Sequence, residues 1–161
     1  MMNPAKIAAK IAVVVVMFAS AAVSVSAVPQ AKVARLTEVK VYFYHEPGEF
    51  IDLAPVTRSV NALAPARPAI EALLKGPTAA ERRRGFGLLA SAREFRIGSL
   101  KISNGTARIN FVSNRRWAGW PGDLAPVRFK TAVELTLKQF PTVRRVVVSL
   151  NGDEKFYDER G

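Results

Sequence analysis

The dipeptide Asn104-Gly105 sits between two runs of alternating apolar residues, and it constrains this chain more than any other feature. A two-residue hairpin turn needs positive φ at both positions, which asparagine and glycine tolerate. Folding Leu100 to Phe111 about this turn sets Ile102 opposite Ala107 and Leu100 opposite Ile109 on one apolar face. Lys101 then meets Arg108, and Ser99 meets Asn110, on the other face. A slip of one residue would invert both faces, so the pattern specifies its own register. A lone hairpin is barely stable in water, and other elements must cover its apolar side.

Those elements lie on both sides of it. Val39, Val41 and Phe43 alternate with Lys40, Tyr42 and Tyr44 as a strand. Pro47-Gly48 predicts a turn, and Phe50 to Val60 a second extended segment, in which Pro55 demands an edge position or a bulge. Ala66 to Lys75 carries the helical stripe Ala69, Ile70, Leu73 and Leu74, with Pro68 in the first turn and Gly76-Pro77 as the stop. Thr78 and Glu81 predict a capping box, opening a short helix that ends in Arg82-Arg83-Arg84.

Beyond the hairpin, the longest helix is predicted from Leu124 to Gln139, with Asp123 as its N-cap and Pro141 just past its end. Ala125, Phe129, Ala132, Val133, Thr136, Leu137 and Phe140 form its core stripe. Lys130, Glu134 and Lys138 face outward at i, i+4 spacing. Val143 to Leu150 is a strand; if Val146, Val148 and Leu150 point inward, Arg145 points outward and Arg144 inward. Asn151-Gly152 predicts a second turn, followed by a short return strand over Lys155 to Tyr157. The order is strand, strand, helix, hairpin, helix, strand. That order implies an α+β fold, a mainly antiparallel sheet with two main helices packed on one face.

Residues 1–27 have the three-part plan of a secretory signal: Lys6 and Lys10, then an apolar run from Ile11, then Val25 and Ala27 as the −3 and −1 positions. The rival reading is an uncleaved anchor, because Ile11 to Val28 carries no charge and a span needs about 20 apolar residues. Either way the chain is expected to be exported, in the cell wall or secreted, with membrane contact only through this segment. Residues 28–37 are expected to be a linker and 38–161 the folded domain. Of 161 residues, 134 remain after residue 27, enough for a single core without disulfide or metal. The formal charge of +11 falls to +9 with the two lysines gone, which favours anionic partners. Export argues against nucleic acid.

One histidine and no cysteine exclude multi-ligand Cys/His zinc sites and a cysteine nucleophile. His45 has no nucleophile elbow to serve. The carboxylates Glu46, Glu49 and Asp52, and the terminal set Asp153, Glu154, Asp158 and Glu159, lie in hydrophilic segments where a raised pKa is hard to arrange. No phosphate or dinucleotide loop is present. No catalytic residue, cofactor or metal is therefore expected. Two binding candidates remain. The first is a basic sheet face of Lys101, Arg108 and Arg145, which is either an anion site or a solvated surface. The second is Arg115-Arg116-Trp117-Ala118-Gly119-Trp120, where the rings either contact a ligand or plug one end of the core.

Particular runs go further. Val41-Tyr42-Phe43-Tyr44, Pro55-Val56-Thr57-Arg58 and Ala69 to Thr78, with Glu71, Gly76 and Pro77, resemble the GerMN domain of sporulation and spore germination. So do Ala107 to Phe111 and Leu135 to Val146, which includes Phe140-Pro141. The resemblance covers about Val39 to Gly152. It implies a bacterial, extracytoplasmic binding or assembly module without catalysis, related in fold to ring-building domains. Family members are often lipoproteins, and this chain has no lipobox cysteine. The implied partner is an envelope protein or an anionic wall polymer. A self-assembling structural subunit is the alternative, an envelope hydrolase the remotest one. Arg58 matches a family position and is expected to tie the edge segment to the sheet.

Overall fold

The computed structural model describes residues 35–46, 53–91, 93–114 and 117–158. The expected signal segment, most of the expected linker, the expected Pro47-Gly48 turn, the expected start of the second strand and the Arg115-Arg116 pair lie outside the described residues. The elements are β1 (Leu36–His45), β2 (Leu53–Asn61), α1 (Ala66–Lys75), α2 (Ala79–Arg83), β3 (Phe86–Gly87), β4 (Phe95–Ser103), β5 (Thr106–Ser113), α3 (Ala125–Lys138) and β6 (Arg145–Leu150).

The α+β class and the expected order hold, with the strands divided between two three-stranded sheets. Sheet A has the order β2-β1-β3, and sheet B the order β4-β5-β6. Alternation makes each sheet one-sided. Val39, Val41, Phe43, Val56 and Val60 are buried in sheet A, and Ala107, Ile109, Phe111, Val146, Val148 and Leu150 in sheet B. The helices fill the space these faces enclose: α1 packs on β1, β2 and β4, and α3 on β1 and β6. Phe129 and Leu137 of α3 join Ile70 and Leu73 of α1 in one core.

The hairpin has the predicted register, with Lys101 opposite Arg108 and Ile102 opposite Ala107, and Asn104 and Gly105 take φ of 50° and 76°. Its irregularity falls between Ile97 and Ser99, at Gly98. Pro55 sits in regular register opposite Tyr42, so β2 satisfies its proline as an edge strand and has no bulge. Strand β6 runs parallel to β5, because the whole of α3 lies between them and carries the chain back.

Four expectations need correction. Leu36 and Thr37, assigned to the linker, already pair with Asn61 and Val60 in β1. Leu124, not Asp123, is the N-cap of α3; it has helical φ and ψ and no side-chain cap, since Pro126 in the first turn already fixes the entry. The return strand after Asn151-Gly152 is a single bridge, Leu150 to Asp153, followed by turns. Arg144 is exposed rather than inward, because it precedes β6 and escapes the strand's alternation.

Candidate functional site: the basic face of sheet B

The outward rows of sheet B follow from its two registers. Lys101 lies opposite Arg108, which lies beside Val147; one row away, Ser103 lies opposite Thr106, which lies beside Arg145. Lys101, Arg108 and Arg145 therefore share the face opposite the buried Ala107 and Ile109. All three are exposed.

Arg144 reaches the hairpin tip for a reason the sequence pattern hid. The backbone N–H groups of Arg144 and Arg145 both donate to the carbonyl oxygen of Gly105, at 2.8 and 3.0 Å. The Arg144 guanidinium then rests over the hairpin tip, where a Cβ on Gly105 would come within 2.7 Å of Nε. A glycine in the turn thus leaves room for a cation at the end of the basic face.

Among the described residues, one carboxylate forms an ion pair with this group. Arg108 Nη1 is 3.6 Å from Glu154 Oε1, with both side chains about three-fifths exposed (61% and 62%). Such a pair is well screened and holds neither group firmly. Glu154 is brought there by Asn110, whose Oδ1 accepts from Ser149 Oγ and from Gly152 N–H, both at 2.9 Å, pinning the turn beside β5. The face keeps an excess of cations over a polar ladder.

Trp117 and Trp120 close one end of the core. The Phe95 ring centroid is 5.5 Å from each, Trp120 also lies 5.5 Å from Phe129 and 6.0 Å from Phe156, and the two indoles are 6.0 Å apart. Both are half-buried, and their outer surfaces border a cleft of about 380 Å³ with Leu88, Leu89 and Pro121. The rings thus pack on the core and also line an open cleft, so each of the two sequence readings keeps a surface of its own.

The motif residues are structural in placement. Arg58 donates to Glu81 through both terminal nitrogens, at 2.8 and 2.7 Å, so it ties β2 to α2 where a tie to the sheet was expected. Thr78 and Glu81 form the predicted capping box. Gly76, with φ of 80°, caps α1 against the Leu88 side chain, and the Pro77 carbonyl accepts from Arg82. Glu71 is exposed beside Arg67 at 3.5 Å. Phe140 packs on the core, while Pro141 is exposed.

Sequence reasoning missed Gln139. Its side-chain amide accepts from Lys40 N–H and donates to the Lys40 carbonyl, both at 2.7 Å, as a strand neighbour would. Thr136 Oγ1 lies 3.4 Å from the Tyr42 N–H and supports the same edge. The run Leu135-Thr136-Leu137-Lys138-Gln139 carried the signal as a motif without a reason.

The two sheets, the helices packed between their elements and the capped α1–α2 corner define an α+β domain. The chain belongs to the sporulation and spore germination family, Germane, whose profile matches residues 40–156. Among solved structures it is similar to the tandem GerMN domains of the sporulation protein GerM from Bacillus subtilis. That match has 21% identity and a TM-score of 0.54 over 73% of this chain, and spans 40% of the tandem chain. The first GerMN domain of that protein alone matches at 19% identity and a TM-score of 0.55, over 72% of this chain and 84% of that one. Among curated proteins nothing matches.

Proposed function

We propose that this domain is a non-catalytic, exported envelope module that holds a phosphate-bearing wall polymer on the outer face of sheet B. The carrying observation is that Lys101, Arg108 and Arg145 share one exposed face of sheet B, with the Arg144 guanidinium over the hairpin tip and Glu154 as the nearby counter-charge. A like-charge pair directly across two strands costs a few tenths of a kcal/mol, and an anion laid over it removes that cost. Repeating phosphates suit these separated cations better than a compact anion does, because Lys101, Arg108 and Arg145 are all exposed and stand on three different strands. Export rests on the signal-like plan of residues 1–27.

The test is retention of the purified protein on wall sacculi carrying their anionic polymer and on sacculi stripped of it. Retention should need the polymer, fall sharply between low salt and about 0.3 M salt, and weaken about fivefold in Arg108→Glu. Equal retention on stripped sacculi would refute the reading.

A further inference from the structure

We propose that the free edge of β4 is a docking site for an extended, acid-bearing protein segment, which adds to sheet B as a fourth strand. Strand β4 is the outer strand of its sheet, and no strand lies beyond it among the described residues. Its inward side chains are Phe95, Ile97, Leu100 and Ile102, yet burial decays along this series. Phe95 is 2% exposed, while Ile102 is 37% exposed. The reason is that α1 runs beside the strand without closing on it. Two clefts are left, of about 320 and 310 Å³. The first lies between Leu74 of α1 and Ile97; the second holds Leu100 and Ile102 against Phe140. Arg67 borders both, so the two clefts are neighbours along one edge, and together they are termed the groove.

A strand needs backbone partners and a place for alternate side chains, and this edge supplies both. From Phe95 to Ile102 the edge extends about 23 Å, room for an eight-residue segment. Side chains on the inner side of such a segment would enter the clefts. Those on the outer side would meet the exposed Arg96 and Lys101, while Arg67 and Lys75 stand on the α1 rim with Glu71 as the nearby acid. The occupant is therefore apolar at one set of alternate positions and acidic at the other. A second copy using the same edge is disfavoured, because antiparallel pairing about Gly98-Ser99 would bring Arg96 of one copy to Lys101 of the other.

The experiment is an amide NMR titration of the purified protein with an eight-residue peptide alternating valine and glutamate. Its controls are a lysine-for-glutamate counterpart and a version N-methylated at alternate backbone nitrogens. The proposal expects saturable shifts over Ile97 to Ser103 and in α1, at least tenfold weaker binding of both controls, and a tenfold loss in Ile102→Glu. Ile102 is exposed enough for that variant to keep a dispersed spectrum. Arg96→Glu, a surface change, should invert the preference between the two charged peptides. The proposal is overturned by no shift with millimolar glutamate peptide or by equal binding of the N-methylated peptide. Shifts confined to β5 and β6, or sedimentation showing this edge closed in a dimer, would also overturn it. Wall-polymer retention does not involve the groove and should persist in Ile102→Glu, so the two proposals fail separately.

Discussion

Arg58 and Glu81 form a two-point ion pair, Nη1 and Nη2 of the arginine donating at 2.8 and 2.7 Å to the two carboxylate oxygens. The same carboxylate accepts from the Thr78 N–H at 2.7 Å, and the guanidinium lies 5.6 Å from the Phe43 ring centroid. One glutamate thus closes a helix cap and binds that helix to an edge strand. Its side chain is 11% exposed and that of Arg58 20%, so solvent screens the pair little.

Removing one partner should therefore cost more than a surface ion pair does. Arg58→Ala is expected to destabilise the domain by about 3 kcal/mol, because Glu81 is left buried and uncompensated. Replacing both residues with apolar ones of similar volume should cost less than either single change. Urea denaturation of the three variants checks the order.

The pair also sets an acid limit. The hydrogen bonds from Arg58, opposed by burial and helped by those from Thr78, hold the Glu81 carboxyl at about 2, against 4.5 for the free group. A depressed folded pKa stabilises the fold above the unfolded value, and the stabilisation is lost as pH falls from about 4.5 toward 2. About 3 kcal/mol should disappear across that window, and Glu81→Gln should flatten the dependence there. Thermal melts from pH 6 to 2 supply the comparison.

Gln139 should matter through the backbone it touches. Gln139→Ala leaves the Lys40 N–H and carbonyl without their partner and is expected to cost about 1 to 2 kcal/mol. Exchange of the Lys40 amide should accelerate more than that of Val41. Gln139→Glu, which keeps the acceptor and loses the donor, should fall between the two.

Two glycines with nearly equal φ should respond differently to alanine. Gly85 has φ of 89°, and a Cβ there would lie 2.2 Å from the Glu46 carbonyl oxygen. Gly152 has φ of 90° and nothing within 4 Å. Gly152→Ala should cost about 1 kcal/mol in backbone strain alone. Gly85→Ala should cost more than twice that, since Glu46 must move and its N–H bond to the Gly85 carbonyl at 2.9 Å is strained with it. Paired thermal melts decide the matter.

Trp120→Ala is expected to destabilise by about 3 kcal/mol, because the indole packs against Phe95, Phe129 and Phe156. Retention on wall sacculi by the protein that remains folded should be unchanged. Loss of retention without loss of stability would instead make the ring a ligand contact.

The sequence by itself determined whatever depends on neighbours within a few residues. Asn104-Gly105 set the hairpin and its register, Thr78 and Glu81 the capping box, and the 3.6-residue rhythm of Phe129, Val133 and Leu137 the inner side of α3. The Lys101–Arg108 pair of the basic face followed from the hairpin register alone. Tertiary structure decided what depends on the path between elements. The division into two sheets, the parallel sense of β6 and the placing of Arg144 over Gly105 needed the return of the chain through α3. Gln139 and Lys40 are 99 positions apart, so no local pattern can announce that a side chain will complete a strand edge. The groove beside β4 has the same origin: periodicity named Leu100 and Ile102 as inward residues, but only the stance of α1 left them uncovered.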